Sequence, residues 1–142
     1  MAIATTNERP LYPFARIFQV ATSSTDAVDI WQIPVGTIIT RVLAQINVAG
    51  TGSGNLTVGD DDSGNGYILA ADATAAAGTV YGDLNGELGT YLAGTAAGAG
   101  CAPCWKEYHA TGKELKMDCS GALTTEATVD VMVFGYSFKY LG

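Results

Sequence analysis

The chain is poor in charge and especially poor in cations. Of its 142 residues only 15% are charged, and 7 Lys and Arg stand against 14 Asp and Glu. Proteins that bind nucleic acid neutralise phosphates with clustered Lys and Arg. The formal net charge of -7 and the scattered cations therefore argue against a nucleic-acid partner. A surface with so little charge promotes association with other proteins.

Long apolar runs and secretion signals are missing as well. A membrane-spanning helix needs about 20 consecutive apolar residues, and the N-terminal sequence MAIATTNERPLYPF has no basic region followed by an apolar stretch. We expect no membrane contact and synthesis in a cytoplasm. The cysteines number 3, so reduced thiols are expected, with one disulfide at most.

Motifs of the common enzyme families are also missing. The sequence has no G-x-S-x-G, no phosphate-binding loop, and no G-x-G-x-x-G between a strand and a helix. Three neighbouring carboxylates, Asp60, Asp61 and Asp62, lie on a predicted turn where solvent keeps each one ionised. We predict that the protein is not an enzyme.

What the chain does contain is strand patterning. Residues 37–48 alternate with a period of two and are rich in β-branched side chains. We place Ile38, Thr40, Val42, Ala44, Ile46 and Val48 on one face of this strand. The following AGTGSG tolerates positive φ, so residues 56–58 are predicted to return as the second strand of a hairpin.

Further strands are predicted at residues 15–20, 28–33, 103–109, 114–119 and 126–140. The turn ATGK would join 103–109 to 114–119 as a second hairpin. Residues 126–140 are apolar on both faces, which indicates a central strand or a face that meets another subunit, with Gly135 marking a bulge or bend. Roughly eight strands predict an all-β fold, a jelly-roll-like β-sandwich.

The domain organisation is predicted to be simple. Residues 1–14 form an extended N-terminal arm, because Pro10 and Pro13 interrupt pairing, and residues 15–142 form a single β-sandwich domain. Residues 71–100 are a long insertion rich in Gly and Ala, with one or two short strands. The arm and exposed aromatics such as Trp31, Trp105 or Tyr91 are candidate anchors for a partner.

One segment matches a calcium-binding loop. In DDSGNGYILAAD the ligand positions are filled by Asp61, Ser63, Asn65, Tyr67 and Asp72. However, the last ligand is Asp instead of the bidentate Glu, and a predicted strand precedes the loop where an EF-hand has a helix. A turn in which Asp and Asn bond their own backbone explains the same residues. We favour the turn and keep calcium as the alternative.

A second pattern has soft metal ligands. Cys101, Cys104, His109 and Cys119 form C-x2-C-x4-H-x9-C, whose first half matches a zinc knuckle. The last gap is longer than in a knuckle, and the domain is large enough to fold without zinc. We favour three small thiols and a strand histidine, and predict no bound cofactor.

The run IWQIPVGTIITRVLAQINVAGTGSGNLTVGDDDSGNGYILAAD resembles small virion proteins of tailed bacteriophages, of the head decoration or cement type. Residues 33–38, 56–60 and 66–69 carry the likeness, which covers about a third of the chain. Residues 78–119 depart from the pattern, so the partner surface is not carried over. The resemblance implies a jelly-roll-like fold, no enzyme activity, and attachment to a capsid lattice as a trimer or dimer.

Residues and resemblance together predict a structural protein of the virion. It would bind the outer surface of the major capsid protein lattice as a homotrimer or homodimer, with neither nucleic acid nor membrane as a partner. One alternative is a tail, baseplate or fibre-tip component that contacts the host or neighbouring virion proteins. An alternative of another class is a binding module stabilised by calcium or zinc.

Overall fold

A computed structural model of the chain describes residues 9–23, 26–84, 87–93, 105–109 and 112–141. Within these ranges the chain is built from strands and contains no helix that could span a membrane. The strands are β1 (Tyr12–Ala21), β2 (Val28–Ile33), β3 (Thr37–Val48), β4 (Thr51–Gly59), β5 (Ile68–Asp72), β6 (Val80–Tyr81), β7 (Lys106–Tyr108), β8 (Lys113–Thr125) and β9 (Thr128–Ser137).

The strands form two packed antiparallel sheets. Sheet A has the order β1-β9-β3-β6, with β7 also paired to β3, and sheet B has the order β2-β8-β4-β5. The predicted all-β sandwich is confirmed. The predicted central position of the last strand is confirmed too, because β9 lies between β1 and β3.

The core fills the space between the sheets. Alternate side chains of a strand point to one face, and in β9 Val129, Val131 and Val133 are fully buried. In sheet B the corresponding positions of β4 and β8 hold Leu56, Val58, Leu115 and Met117. Each such side chain contributes about 1.5–3 kcal/mol on burial, so these alternating positions fix the register of both sheets.

The predicted faces of β3 are wrong in its first part and at Val48, which follows a second register shift after Ile46 and is 57% exposed. The register slips between Ile39 and Arg41, and the buried residues are Thr37 and Ile39 before the slip but Val42, Ala44 and Ile46 after it. A bulge adds one residue to a strand and moves every later side chain to the other face. Ile38 and Thr40 therefore do not share a face with Val42.

The bend predicted at Gly135 has its counterpart in that bulge. Gly135 lies opposite Ile39, and a Cβ at Gly135 would stand 1.9 Å from the carbonyl oxygen of Ile38. Only glycine permits this approach of the two backbones. The extra residue lies in β3, and glycine in β9 makes room for it.

Both predicted hairpins are wrong. β3 belongs to sheet A and β4 to sheet B, and likewise β7 belongs to sheet A and β8 to sheet B. Glycine-rich turns let a chain reverse but do not determine whether the next strand stays in the same sheet. Here the amide of Gly50 donates to the carbonyl of Ala73, and the chain crosses to the opposite sheet.

The first strand begins earlier than predicted. β1 starts at Tyr12 and pairs with β9, so Tyr12, Pro13 and Phe14 are strand residues and not part of an arm. Pro13 is tolerated because β1 is an edge strand of sheet A. Residues 1–8 lie outside the described residues, as do residues 85–86 and 94–100 of the insertion and residues 101–104 after it. Of the one or two short strands predicted in the insertion, β6 lies within it, and β5 overlaps only its first two residues.

Candidate interaction surfaces

The outer face of sheet A is apolar over most of its area. Cross-strand registers place residues of β1, β9 and β3 side by side in rows. We call the surface formed by three of these rows the apolar face. The first row is Pro13, Tyr136 and Ile38, the second is Ala15, Phe134 and Arg41, and the third is Ile17, Met132 and Leu43. The Ile17 side chain is 62% exposed, so this face is open to a partner.

Arg41 is the charged member of the apolar face. Its guanidinium Nη2 lies 2.6 Å from Oδ1 of Asp83, which follows β6 in sequence. The Asp83 carboxylate offsets the positive charge of Arg41, so the apolar face carries little net charge. Beyond the three rows the face becomes polar, because Gln19 and Gln45 flank Asp130.

An exposed aromatic cluster continues the apolar face at one end of the sandwich. We call it the aromatic end; it consists of Leu11, Tyr12, Val35, Phe138 and Tyr140, all exposed. Tyr140 is 77% exposed and packs edge-on against Tyr12 at 5.9 Å between ring centroids. Aromatic side chains on a surface are typical anchors of protein interfaces.

The outer face of sheet B has the opposite character. We call it the charged face; it consists of Asp29, Gln32, Asn55, Thr57, Glu114, Lys116, Asp118 and Ser120. Across strands, Lys116 stands beside Asp29, with 3.8 Å between Nζ and Oδ1. Each side chain here can bond to water. The charged face is therefore the one suited to solvent.

The three aromatic residues predicted as anchors have different environments. Trp31 is half-buried between Phe14 and Phe18, and its ring lies 5.8 Å from the guanidinium carbon of Arg16. It closes the sandwich between β1 and β2. Trp105 is 45% exposed and can reach a partner. Tyr91 is occupied by contacts inside the molecule.

Those contacts centre on Asp60, which is buried with 3% exposure. Its Oδ1 accepts hydrogen bonds from the Tyr91 hydroxyl at 2.8 Å and from the amides of Asp62 and Ser63. Its Oδ2 accepts from the Tyr108 hydroxyl at 2.8 Å. The prediction of a solvated carboxylate is therefore wrong for Asp60.

The Asp60 cluster joins the two sheets. Asp60 follows β4 of sheet B, whereas Tyr108 ends β7 of sheet A. Since the Tyr108 hydroxyl donates to Asp60, the Tyr67 hydroxyl donates to Tyr108. Burial raises the pKa of the Tyr67, Tyr91 and Tyr108 hydroxyls, so all three stay protonated and available as donors.

The residues of the predicted calcium loop take part in separate interactions. The Asp61 carboxylate bonds Lys116 Nζ at 2.7 Å and the amide of Glu114, and these bonds lower its pKa. Ser63 donates to Asn65. Tyr67 is in the core, and Asp72 ends β5 and accepts from Thr74, which lowers the pKa of Asp72. The turn without metal stays the prediction for this loop, with calcium binding as its alternative.

The predicted zinc ligands are only partly described. Cys101 and Cys104 lie outside the described residues, while His109 follows β7 in sheet A and Cys119 lies in β8 of sheet B. Burial raises the pKa of the Cys119 thiol, which disfavours the thiolate that zinc requires. Among the described residues no group of three or more His, Cys, Asp and Glu could hold a metal ion. Thiols and a histidine without zinc stay the prediction, with the four-ligand zinc site as its alternative.

Sequence patterns did not single out the Asp60 cluster. Tyr91 and Tyr108 are 31 and 48 residues away from Asp60 in the chain. The apolar face did leave a signal, because the apolar residues on both sides of β9 were recognised as evidence for a central strand or a subunit contact. The rows themselves depend on the register of β1 and β3 against β9, which the sequence pattern does not determine.

Two solved structures share this fold over nearly the whole chain. A chain of the cyanophage Pam1 capsid asymmetric unit has a TM-score of 0.59 and 17% identity, covering 96% of this chain and 93% of that one. A chain of the acid-stable capsid structure of Helicobacter pylori bacteriophage KHP30 has a TM-score of 0.56 and 11% identity, covering 92% and 95%. No protein-family model and no curated protein matches the sequence. The predicted likeness to phage virion proteins is thus confirmed at the level of the fold.

Proposed function

We propose that the chain is a structural virion protein that binds the outer surface of a phage's major capsid protein lattice and stabilises the head. The observation that carries this proposal is the apolar face, a sheet surface of mostly apolar side chains that are exposed or half-buried, in a chain whose fold is shared by chains of phage capsids. In keeping with the absence of catalytic motifs, the role is structural and not enzymatic.

The size of the apolar face supports an extended partner. With strands about 4.8 Å apart and rows about 6.6 Å apart, three rows over three strands cover on the order of 300 Å². A stable interface buries about 800 Å² on each partner. A partner that covers the apolar face must therefore also contact its surroundings. A lattice of capsid subunits offers such an extended surface.

The same arrangement supports an orientation on the head. With the apolar face against the lattice, the charged face of sheet B points to solvent, where its side chains keep their hydration. We further propose that the protein is made in the host cytoplasm and acts as a homo-oligomer. The residues of the arm that precede β1, residues 1–11, remain a candidate for an additional contact.

The test uses heads purified without this chain. Wild-type protein is added, and its position and occupancy are measured by cryo-electron microscopy. Ile17→Lys places a charge at the most exposed large apolar side chain of the apolar face, and we expect it to reduce occupancy at least about tenfold, as for an apolar anchor that an interface would bury. The matched control is Thr57→Lys on the charged face, which we expect to bind like wild type.

Two results would count against the proposal. Wild-type density on the tail, baseplate or fibres, with bare heads, would support the tail alternative instead. Equal occupancy of Ile17→Lys and Thr57→Lys would show that the apolar face does not meet the lattice. Both variants are first checked for wild-type melting temperature, since both substituted side chains point away from the core.

A further inference from the structure

The two ends of sheet A differ in charge. The cations Arg9 and Lys139 flank the aromatic end, before β1 and after β9, and within the described residues neither takes part in an ion pair. The nearby carboxylates Asp61 and Asp62 are paired with one lysine of β7 and two lysines of β8. The aromatic end therefore offers two cations beside exposed apolar rings.

The opposite end of sheet A is acidic. Here the strands place Ala21, Thr128 and Val48 in one row, next to the row that contains Asp130. Glu126 lies in the turn before β9 and is exposed. Val48 is 57% exposed. We call this surface, formed by Ala21, Val48, Glu126 and Asp130, the acidic end; like the aromatic end, it combines apolar side chains with charge.

The two ends act as separate electrostatic surfaces. Nine residue steps along β9 separate Thr128 from Ser137, which at about 3.3 Å per residue is roughly 30 Å. The Debye length at physiological ionic strength is about 8 Å. Charges at one end are thus screened from the other, and a partner at either end responds to the local charge.

We propose that the aromatic end of one copy docks against the acidic end of a neighbouring copy of this chain. Arg9 and Lys139 would face Glu126 and Asp130, while the exposed rings of the aromatic end would cover Val48 and Ala21. Complementary charge selects this pairing over the alternatives. Two aromatic ends would bring their cations together, and two acidic ends would bring their carboxylates together.

This pairing determines the symmetry of the oligomer. A contact between two different patches is heterologous and closes only as a ring of copies, whereas a two-fold dimer needs one patch that matches itself. The proposal therefore favours a ring, such as the homotrimer, over the homodimer. It deepens the oligomer named in the proposed function, but it does not depend on head binding.

The test is self-association of the full chain in solution, measured by sedimentation velocity over a range of protein concentrations at low ionic strength. Wild type is expected to form closed oligomers. Each of the single variants Lys139→Glu and Glu126→Lys is expected to weaken association at least about tenfold, because each places like charges opposite one another. The double variant K139E/E126K restores opposite charges across the same contact and is expected to recover association.

Asp118→Lys is the matched control for Glu126→Lys. It changes the net charge by the same amount but lies on the charged face of sheet B, so its association should equal that of wild type. Far-ultraviolet circular dichroism and melting temperature check the fold of every variant. Wild type that remains monomeric at all concentrations would overturn the proposal, and so would association that the double variant fails to restore.

The head-binding experiment gives an independent result. A chain that forms rings but leaves heads bare would overturn the proposed function and not this inference. A chain that occupies heads but stays monomeric in isolation would overturn this inference and leave the proposed function intact. The two proposals can therefore fail separately.

Discussion

The outer faces of the two sheets show what the fold leaves open. Both belong to antiparallel sheets of the same sandwich, and both are built from strands whose inward side chains form or pack against the common core. Their outward positions differ: Ile17, Met132 and Leu43 form a row on sheet A, while Asp29 stands beside Lys116 on sheet B. Since the outward side chains do not pack in the core, their polarity indicates whether each face contacts solvent or a partner.

The Asp60 cluster joins the sheet that carries the apolar face to the sheet that carries the charged face. Asp60→Ala removes the acceptor of two tyrosine hydroxyls and two amides. Unsatisfied buried donors cost about 1–3 kcal/mol each, so we expect the free energy of unfolding to fall by about 3 kcal/mol or more, measured by urea denaturation.

Asp61→Ala is the control for that change. It lies on the same turn, but its carboxylate is exposed and bonds Lys116 at the surface. We expect a much smaller loss of stability than for Asp60→Ala. Equal losses would mean that the turn as a whole, and not the buried carboxylate, holds the sheets together.

Giving sheet B an apolar outer row tests the comparison directly. Thr57 and Asp118 are cross-strand partners on the charged face, and the double change T57I/D118I makes a row like that of Ile17 and Met132. We expect a several-fold lower solubility, because exposed apolar patches drive association, with head occupancy unchanged. The control T57S/D118N keeps the row polar. Unchanged solubility of T57I/D118I would show that outward apolar residues alone do not make a face associate.

The smallest effect expected is a pH dependence of stability that arises from the bond between Asp61 and Lys116 of the charged face. Lys116 and the amide of Glu114 lower the pKa of Asp61 in the folded protein, so the folded state binds the proton less readily than the unfolded chain. This contribution to stability is present above the unfolded pKa of about 3.9 and is lost as the pH falls through the lower folded value. Thermal melts of wild type and Asp61→Asn should differ at pH 6 and converge in strong acid. A constant difference over that range would contradict this origin.

The sequence allowed much of the fold to be predicted because the information was local. Residues 28–33 and 37–48 were predicted as strands within the bounds observed, since alternation and flanking Pro34 and Gly36 act over a few residues. The sheet assignments of β4 and β8 could not be predicted. A glycine turn looks the same whether the chain pairs back or crosses the sandwich.

The candidate sites were harder to predict, for two physical reasons. The bulge after Ile39 reverses the faces of β3 and depends on a glycine in β9, about a hundred residues later in the chain. Asp60 resembles its neighbours Asp61 and Asp62 in sequence, and only the distant Tyr91 and Tyr108 make it a buried acceptor. Contacts of this kind are invisible to patterns read over short windows.

The free edges of sheet A have a consequence for crowding. Unpaired strand edges invite neighbouring chains to extend a sheet, a route to aggregation that grows with local concentration. One edge here is β1, where Pro13 has no backbone N–H to donate. On the other side lie β6 and β7, of 2 and 3 residues. Copies brought close together can therefore lie side by side without fusing into one continuous sheet.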